Sequence, residues 1–74
     1  MNQVLNNFKF SIDNSNNVLL KNTLIILKNT YVRQLQKSKH ANKYTLMKSY
    51  SYKFCRLSVN SNILDKIINK IFTT

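Results

Sequence analysis

Hydrophobic and polar residues alternate near the start of the chain. Phe8, Phe10 and Ile12 are separated by single polar residues, which is the period-two pattern of a strand with one buried face. Asp, Asn and Ser occupy all five positions of the next segment, 13–17, and such residues favour turns. The pattern therefore predicts a strand that ends in a turn.

The middle of the chain is rich in β-branched and aromatic residues. The segment 18–35 has the apolar run Leu24–Leu27 near its centre, and residues of these types favour strands. We expect one long strand here, with a bulge at Asn29. The segment 43–59 alternates imperfectly and predicts two further strands, divided near residues 48–49.

The C-terminal segment 62–72 fits two secondary structures. Its apolar residues recur at helical spacing, with Ser61 as the candidate N-cap, whereas a strand pattern fits them less well. Periodicity favours a helix, and a final strand is the alternative. Together, the β-rich segments predict a mainly β fold, a small five-stranded OB-like barrel in a single domain, 1–74. Its C-terminal segment is either the last strand or a short helix.

The charge of the chain indicates the kind of partner that it binds. Twelve Lys and Arg residues outnumber two acidic residues, which gives a formal net charge of +10. A surface that serves solubility alone normally mixes both signs. Phosphates would neutralise the self-repulsion of these cations and release counterions, so a polyanion is the expected partner.

Basic residues and four tyrosines share the segment 28–56, which has no acidic residue. The segment 36–43 within it has three lysines and no large apolar residue, which predicts a solvated basic loop. Exposed rings can stack on unpaired bases, but strand tyrosines are usually half-buried, so Tyr44 and Tyr52 are expected in the core. The predicted RNA-binding residues are Lys21, Lys28, Arg33, Lys37, Lys39, Lys43, Lys48, Lys53 and Arg56.

Few residues could support catalysis or bind a metal. Asp13 and Asp65 are isolated, and the chain has one cysteine and one histidine, too few for a disulfide or a Cys/His zinc site. Cys55 is expected to be a buried structural thiol and His40 to contact phosphate or water. A chain without glycine also lacks Gly-rich phosphate loops. We predict a protein that is not an enzyme and that binds neither metal, cofactor nor small-molecule substrate.

No segment resembles a membrane span or a targeting peptide. The run Leu24–Leu27 is far shorter than the ~20 residues that cross a bilayer. The N-terminus has neither a secretory apolar region nor the arginines of a transit peptide. Asn (12), Lys (10) and Ile (7) use AT-rich codons, while Gly, Pro and Trp are absent. This composition predicts an AT-rich organelle genome, in a plastid-like organelle first and a mitochondrion second.

Three segments resemble the bacterial-type small-subunit ribosomal protein seventeen family. Lys21–Leu27 is similar to its Asn-Lys-Thr-like group and apolar strand, Tyr31–Lys39 to its Tyr with a basic arm, and Cys55–Ser58 to its Cys-Arg-Pro-Leu-Ser segment. The family's Pro after the Arg, its Gly-Asp turn and its Ala-His-Asp-Glu segment are missing here. The resemblance implies an OB fold that binds ribosomal RNA early in assembly, with a closing strand at Ile63–Ile71.

A competing resemblance is to the C-terminal part of small-subunit ribosomal protein fourteen, through Lys53–Ser58 and the segment after it. That family's Gly-Arg-rich RNA segment is absent. Both resemblances imply a structural constituent of an organellar small ribosomal subunit, with ribosomal RNA and neighbouring ribosomal proteins as partners. The alternative is a small accessory subunit of an organellar membrane complex, anchored by Ile63–Phe72. A free DNA-binding module ranks third, because the predicted helix has only Lys66 and Lys70 as cations.

Overall fold

The computed structural model describes residues 3–38, 41–57 and 59–73, except for the side chains of 54–57. Over these residues the chain forms four helices and no strand. The prediction of a mainly β, OB-like barrel is therefore wrong, as is the closing strand that the family resemblance implied. The helix that periodicity favoured at the C-terminus is confirmed. The helices are α1 (Gln3–Asp13), α2 (Val18–Ser38), α3 (Lys43–Leu57) and α4 (Ser61–Phe72).

Helix α1 buries every fourth residue rather than every second one. Phe8 and Ile12 are buried, whereas Phe10 between them is 64% exposed. Residues four apart lie on one face because an α-helix has 3.6 residues per turn. The alternation of three apolar residues was too short to distinguish the period of a strand from that of a helix.

Helix α2 buries a stripe of residues spaced three and four apart. Leu24, Leu27 and Tyr31 are buried on this stripe, and Leu20 and Leu35 pack against the same core. The β-branched residues between them lower helix propensity only slightly. Packing of the apolar stripe therefore decides the structure of this segment.

Helix α3 replaces the two strands predicted for 43–59. Leu46 and Tyr50 are buried, whereas Tyr44 and Tyr52 are 68% and 67% exposed. The even-numbered positions thus alternate between solvent and core, and equivalent positions recur every four residues. The expectation that Tyr44 and Tyr52 belong to the core is wrong because it assumed a strand.

The predicted basic loop, 36–43, is mostly helical where the structure describes it. Helix α2 continues to Ser38 and α3 begins at Lys43, so 41–42 are the described residues of this segment that lie outside a helix. Lys39 and His40 lie outside the described residues. The turn predicted at 13–17 lies at the connection between α1 and α2.

Asparagine side chains cap the N-termini of three helices. Each Oδ1 atom accepts a hydrogen bond from a backbone amide that has no partner within its helix. The N-cap of α4 is Asn60 rather than the predicted Ser61. The bonded pairs are Asn17 Oδ1 and Leu20 N (3.1 Å), Asn42 Oδ1 and Thr45 N (2.9 Å), and Asn60 Oδ1 and Asn62 N (2.9 Å).

Aromatic rings join three of the helices in the core. Phe8 of α1, Tyr31 of α2 and Phe72 of α4 lie with their ring centroids 5.9, 6.0 and 5.6 Å apart. Phe72 meets both other rings edge to face, an arrangement that aromatic pairs prefer. Helix α3 packs against α2 and α4, outside this ring cluster. The surface where α3 packs against α2 is therefore separate from the aromatic ring cluster.

Candidate nucleic-acid interface

Four cations line a groove between the C-terminal half of α2 and helix α3. Arg33 and Lys37 belong to α2, and Lys48 and Lys53 belong to α3. The hollow that they border, which we call the α2–α3 groove, has a volume of about 430 Å³. Residues three and four apart on each helix face it, as helical spacing requires. Its other lining residues are Thr30, Gln34, Ser49 and Tyr52.

A buried threonine positions the guanidinium of Arg33. The Thr30 hydroxyl accepts a hydrogen bond from Arg33 Nη2 at 3.2 Å and donates one to the carbonyl of Ile26 at 3.0 Å. Arg33 is otherwise exposed. Arg33 and Lys53 also border an adjoining hollow, so the basic surface continues around α2 beyond the groove.

Neither of the two acidic side chains, both of which the structure describes, lies at the α2–α3 groove. The two acidic residues of the chain are Asp13, at the end of α1, and Asp65, on α4. Asp65 is directed toward the buried Tyr50 rather than toward the groove. The four cations therefore repel one another, and an anionic ligand in the groove would relieve this repulsion.

Two exposed tyrosines of α3 lie at the groove, since Tyr52 belongs to its lining and Tyr44 lies about two turns before Tyr52. Tyr44, Lys48 and Tyr52 are spaced four residues apart, so they share one face, which we call the tyrosine stripe. The Nζ atom of Lys48 lies 4.8 Å from the ring centroid of Tyr44, and that of Lys53 lies 5.7 Å from the centroid of Tyr52. Both contacts are within the range of cation–π interactions.

The groove contains four of the nine residues predicted from sequence to bind RNA, namely Arg33, Lys37, Lys48 and Lys53. Lys21 and Lys28 precede the groove residues of α2 and are not part of the groove lining. Lys43 is half-buried at the first position of α3. Lys39 lies outside the described residues, and so does the side chain of Arg56.

The polar residues of the groove were not predicted from the sequence, and Tyr52 was predicted to lie in the core. Thr30, Gln34 and Ser49 are ordinary residues in a strand pattern and gave no signal. Helical spacing would have identified them, because they lie three or four residues from predicted cations. Basic residues at positions 33 and 37 and at positions 48 and 53 are a pattern that two facing helices can bring together.

The described residues contain neither a cluster of metal-ligand side chains nor a membrane-spanning helix. Among them, no group of three or more His, Cys, Asp or Glu side chains is placed to hold a metal ion. Within the same ranges, no helix has the length and apolar character to cross a membrane. Comparisons of this chain with protein-family models, with curated proteins and with solved structures find no match.

Proposed function

We propose that this chain is a non-enzymatic RNA-binding protein that holds phosphates of folded RNA in its α2–α3 groove. The observation that supports this proposal is the convergence of four cations from two helices onto one hollow with no acidic residue. Each phosphate that replaces a counterion on these cations adds affinity. The net charge of +10 adds long-range attraction to the same class of ligand.

The spacing of the cations suits a polymer better than a single small anion. Arg33 and Lys37 are about 6 Å apart along α2, and Lys48 and Lys53 are about 7.5 Å apart along α3. Phosphates in one nucleic-acid strand advance by about 3.4 Å along the helix axis. The two cations on each wall of the groove are therefore far enough apart to contact two different phosphates of one strand.

The salt dependence of RNA binding tests the groove. The variant Lys37→Ala with Lys48→Ala removes two groove cations, and Lys9→Ala with Lys66→Ala removes two exposed cations from α1 and α4. The first pair should reduce the slope of log affinity against log salt by up to about 1.8, at about 0.9 per lost phosphate contact on a duplex. The second pair should change it little. Equal slopes for the two variants, measured on a folded RNA hairpin, would refute the assignment.

The ribonucleoprotein that we propose is the small subunit of an organellar ribosome, with a plastid-like organelle favoured. There the chain would be a structural constituent that supports the folding of ribosomal RNA and contacts neighbouring ribosomal proteins. Its small size, its positive charge and its excess of amino acids that AT-rich codons encode support this proposal. The proposal does not depend on a barrel, because the phosphate contacts come from two helices.

Sedimentation tests the ribosomal assignment separately. An organelle lysate is fractionated on sucrose gradients at low and high salt, and the chain is followed by mass spectrometry. We expect co-migration with the small ribosomal subunit at low salt and partial release at high salt, because phosphate contacts weaken as salt rises. Co-migration with a membrane complex instead would favour the accessory-subunit alternative and overturn the assignment.

A further inference from the structure

We propose that the tyrosine stripe stacks on unpaired bases, so that the RNA bound by this protein has unpaired nucleotides beside a phosphate backbone held in the groove. This inference rests on the proposed RNA-binding function and specifies the class of RNA. It starts from the exposure of the two rings. Tyr44 and Tyr52 are 68% and 67% exposed, whereas Tyr31 and Tyr50 are almost fully buried.

The exposed rings contribute little to the packing of the fold. The residues of α3 that belong to the core are Leu46 and Tyr50, and they lie on the face of the helix opposite the tyrosine stripe. Two large rings that are exposed on one face of one helix, next to the groove cations, form a surface that a partner can cover, whereas a single exposed ring such as Phe10 needs no partner. The neighbouring cations indicate that the partner is a nucleic acid.

Each ring is arranged to stack on a base with one face. An ammonium group lies near each ring, that of Lys48 at Tyr44 and that of Lys53 at Tyr52. A base can occupy the free face of such a ring while the lysine stays at the other or moves to a phosphate. Stacking on an aromatic side chain is stronger than an exposed cation–π contact and tolerates every base, because each base has a π face.

The distance between the two rings limits which arrangement of nucleotides the tyrosine stripe can bind. Eight residues separate Tyr44 from Tyr52, which places their backbones about 12 Å apart along α3. Stacked bases in a duplex are about 3.4 Å apart, so the two rings cannot hold neighbouring bases of one stack. The stripe therefore takes two bases that are splayed apart, with Lys48 between them. Such bases occur in loops, bulges and junctions of folded RNA.

Two RNAs and three variants of the full chain test the inference. One RNA is a fully paired hairpin stem, and the other is the same stem with an unpaired internal bulge that contains 2-aminopurine. Tyr44→Leu with Tyr52→Leu removes the rings, Tyr44→Phe with Tyr52→Phe keeps them, and Phe10→Leu removes an exposed ring from α1. The salt slope on the paired stem reports the groove independently.

The expected result is about tenfold or greater preference of the natural chain for the bulged RNA, with quenching of 2-aminopurine on binding. The leucine pair should lose both the preference and the quenching. Its salt slope on the paired stem should stay the same, because that slope counts the groove cations and Tyr52 lines the groove without a charge. The phenylalanine pair and Phe10→Leu should behave like the natural chain. Equal affinity of the natural chain for the two RNAs, or an unchanged preference in the leucine pair, would overturn the stacking site while leaving the groove intact. If the natural chain bound neither RNA, both the proposed function and the stacking site would be overturned.

Discussion

The hydroxyl of Tyr50 on α3 donates a hydrogen bond to the carboxylate of Asp65 on α4. Burial of the ring raises the pKa of Tyr50 above its ordinary value of 10.0, and the negative charge of Asp65 and this hydrogen bond raise it further. The Oδ1 atom of the same carboxylate is buried and has no hydrogen-bond partner among the described residues. One of the two acidic residues in the chain thus serves the α3–α4 contact.

The free energy of unfolding should fall at alkaline pH, in part because Tyr50 ionises beside Asp65. The folded state holds the Tyr50 proton more tightly than the unfolded state, so its contribution is complete below the unfolded pKa of about 10 and is lost as the pH rises through the higher folded pKa. Urea unfolding from about pH 9 to about pH 11 should show a steeper loss for the natural chain than for Tyr50→Phe.

The variant Asp65→Asn distinguishes how much of the raised pKa of Tyr50 comes from the Asp65 carboxylate and how much comes from burial. The variant removes the negative charge but leaves the ring buried, so the pKa of Tyr50 should remain raised by a smaller amount. Absorbance titration of the phenolate in Asp65→Asn, with Tyr50→Phe subtracted to isolate this tyrosine, measures the difference. An identical titration in Asp65→Asn and in the natural chain would contradict the pairing.

The burial of α1 makes a sharp prediction for its two phenylalanines. Phe8→Ala should cost about 3–5 kcal/mol of unfolding free energy, because it empties a site in contact with Tyr31 and Phe72. Phe10→Ala should cost within about 0.5 kcal/mol, because that ring is largely in solvent. Chemical denaturation measures both variants. A strand with one buried face would instead make the two costs similar.

The N-cap of α4 can be tested by a pair of neighbouring substitutions. Asn60→Ala removes the acceptor of the amide bonds from Asn62 and Ile63 and should destabilise the protein by about 1 kcal/mol. Ser61→Ala should change the stability by less than about 0.5 kcal/mol, since Ser61 is exposed and is not the cap. A larger effect at Ser61 in urea unfolding would reassign the cap.

Anions should stabilise the free protein through the α2–α3 groove. In dilute buffer, sodium sulfate should raise the Tm more than sodium chloride of the same ionic strength, because sulfate can bind between the groove cations as well as screen them. Lys37→Gln with Lys48→Gln should reduce this difference, whereas Lys9→Gln with Lys66→Gln should preserve it. The same sulfate effect in both variants would show that it does not come from the groove.

Composition and charge predicted more than the strand patterns did. The C-terminal helix followed from its long apolar periodicity. Four of the cations that charge alone singled out lie together between two helices. The prediction of a barrel was wrong because tyrosine and β-branched residues were counted as strand formers. At 44–52 the apolar and polar residues fit both a strand, with a period of two, and a helix, in which equivalent positions recur every four residues. Only long-range packing decides between these two structures.

The candidate site was predicted in part for the same reason. Arg33, Lys37, Lys48 and Lys53 were named from charge alone, which is independent of secondary structure. Their convergence depends on helical geometry, so sequence analysis assuming strands could not separate them from Lys21 and Lys28. The exposure of the tyrosines also follows from that geometry and was predicted incorrectly.

The asparagine caps give the chain an unusual tolerance of biased codon usage. A mutational drift toward A and T removes glycine and proline codons, which mark helix boundaries in most proteins. The same drift multiplies asparagine codons, and asparagine is the residue that caps the N-termini of α2, α3 and α4 here. Such a drift would therefore replenish the boundary signals of this fold while it erased those of others.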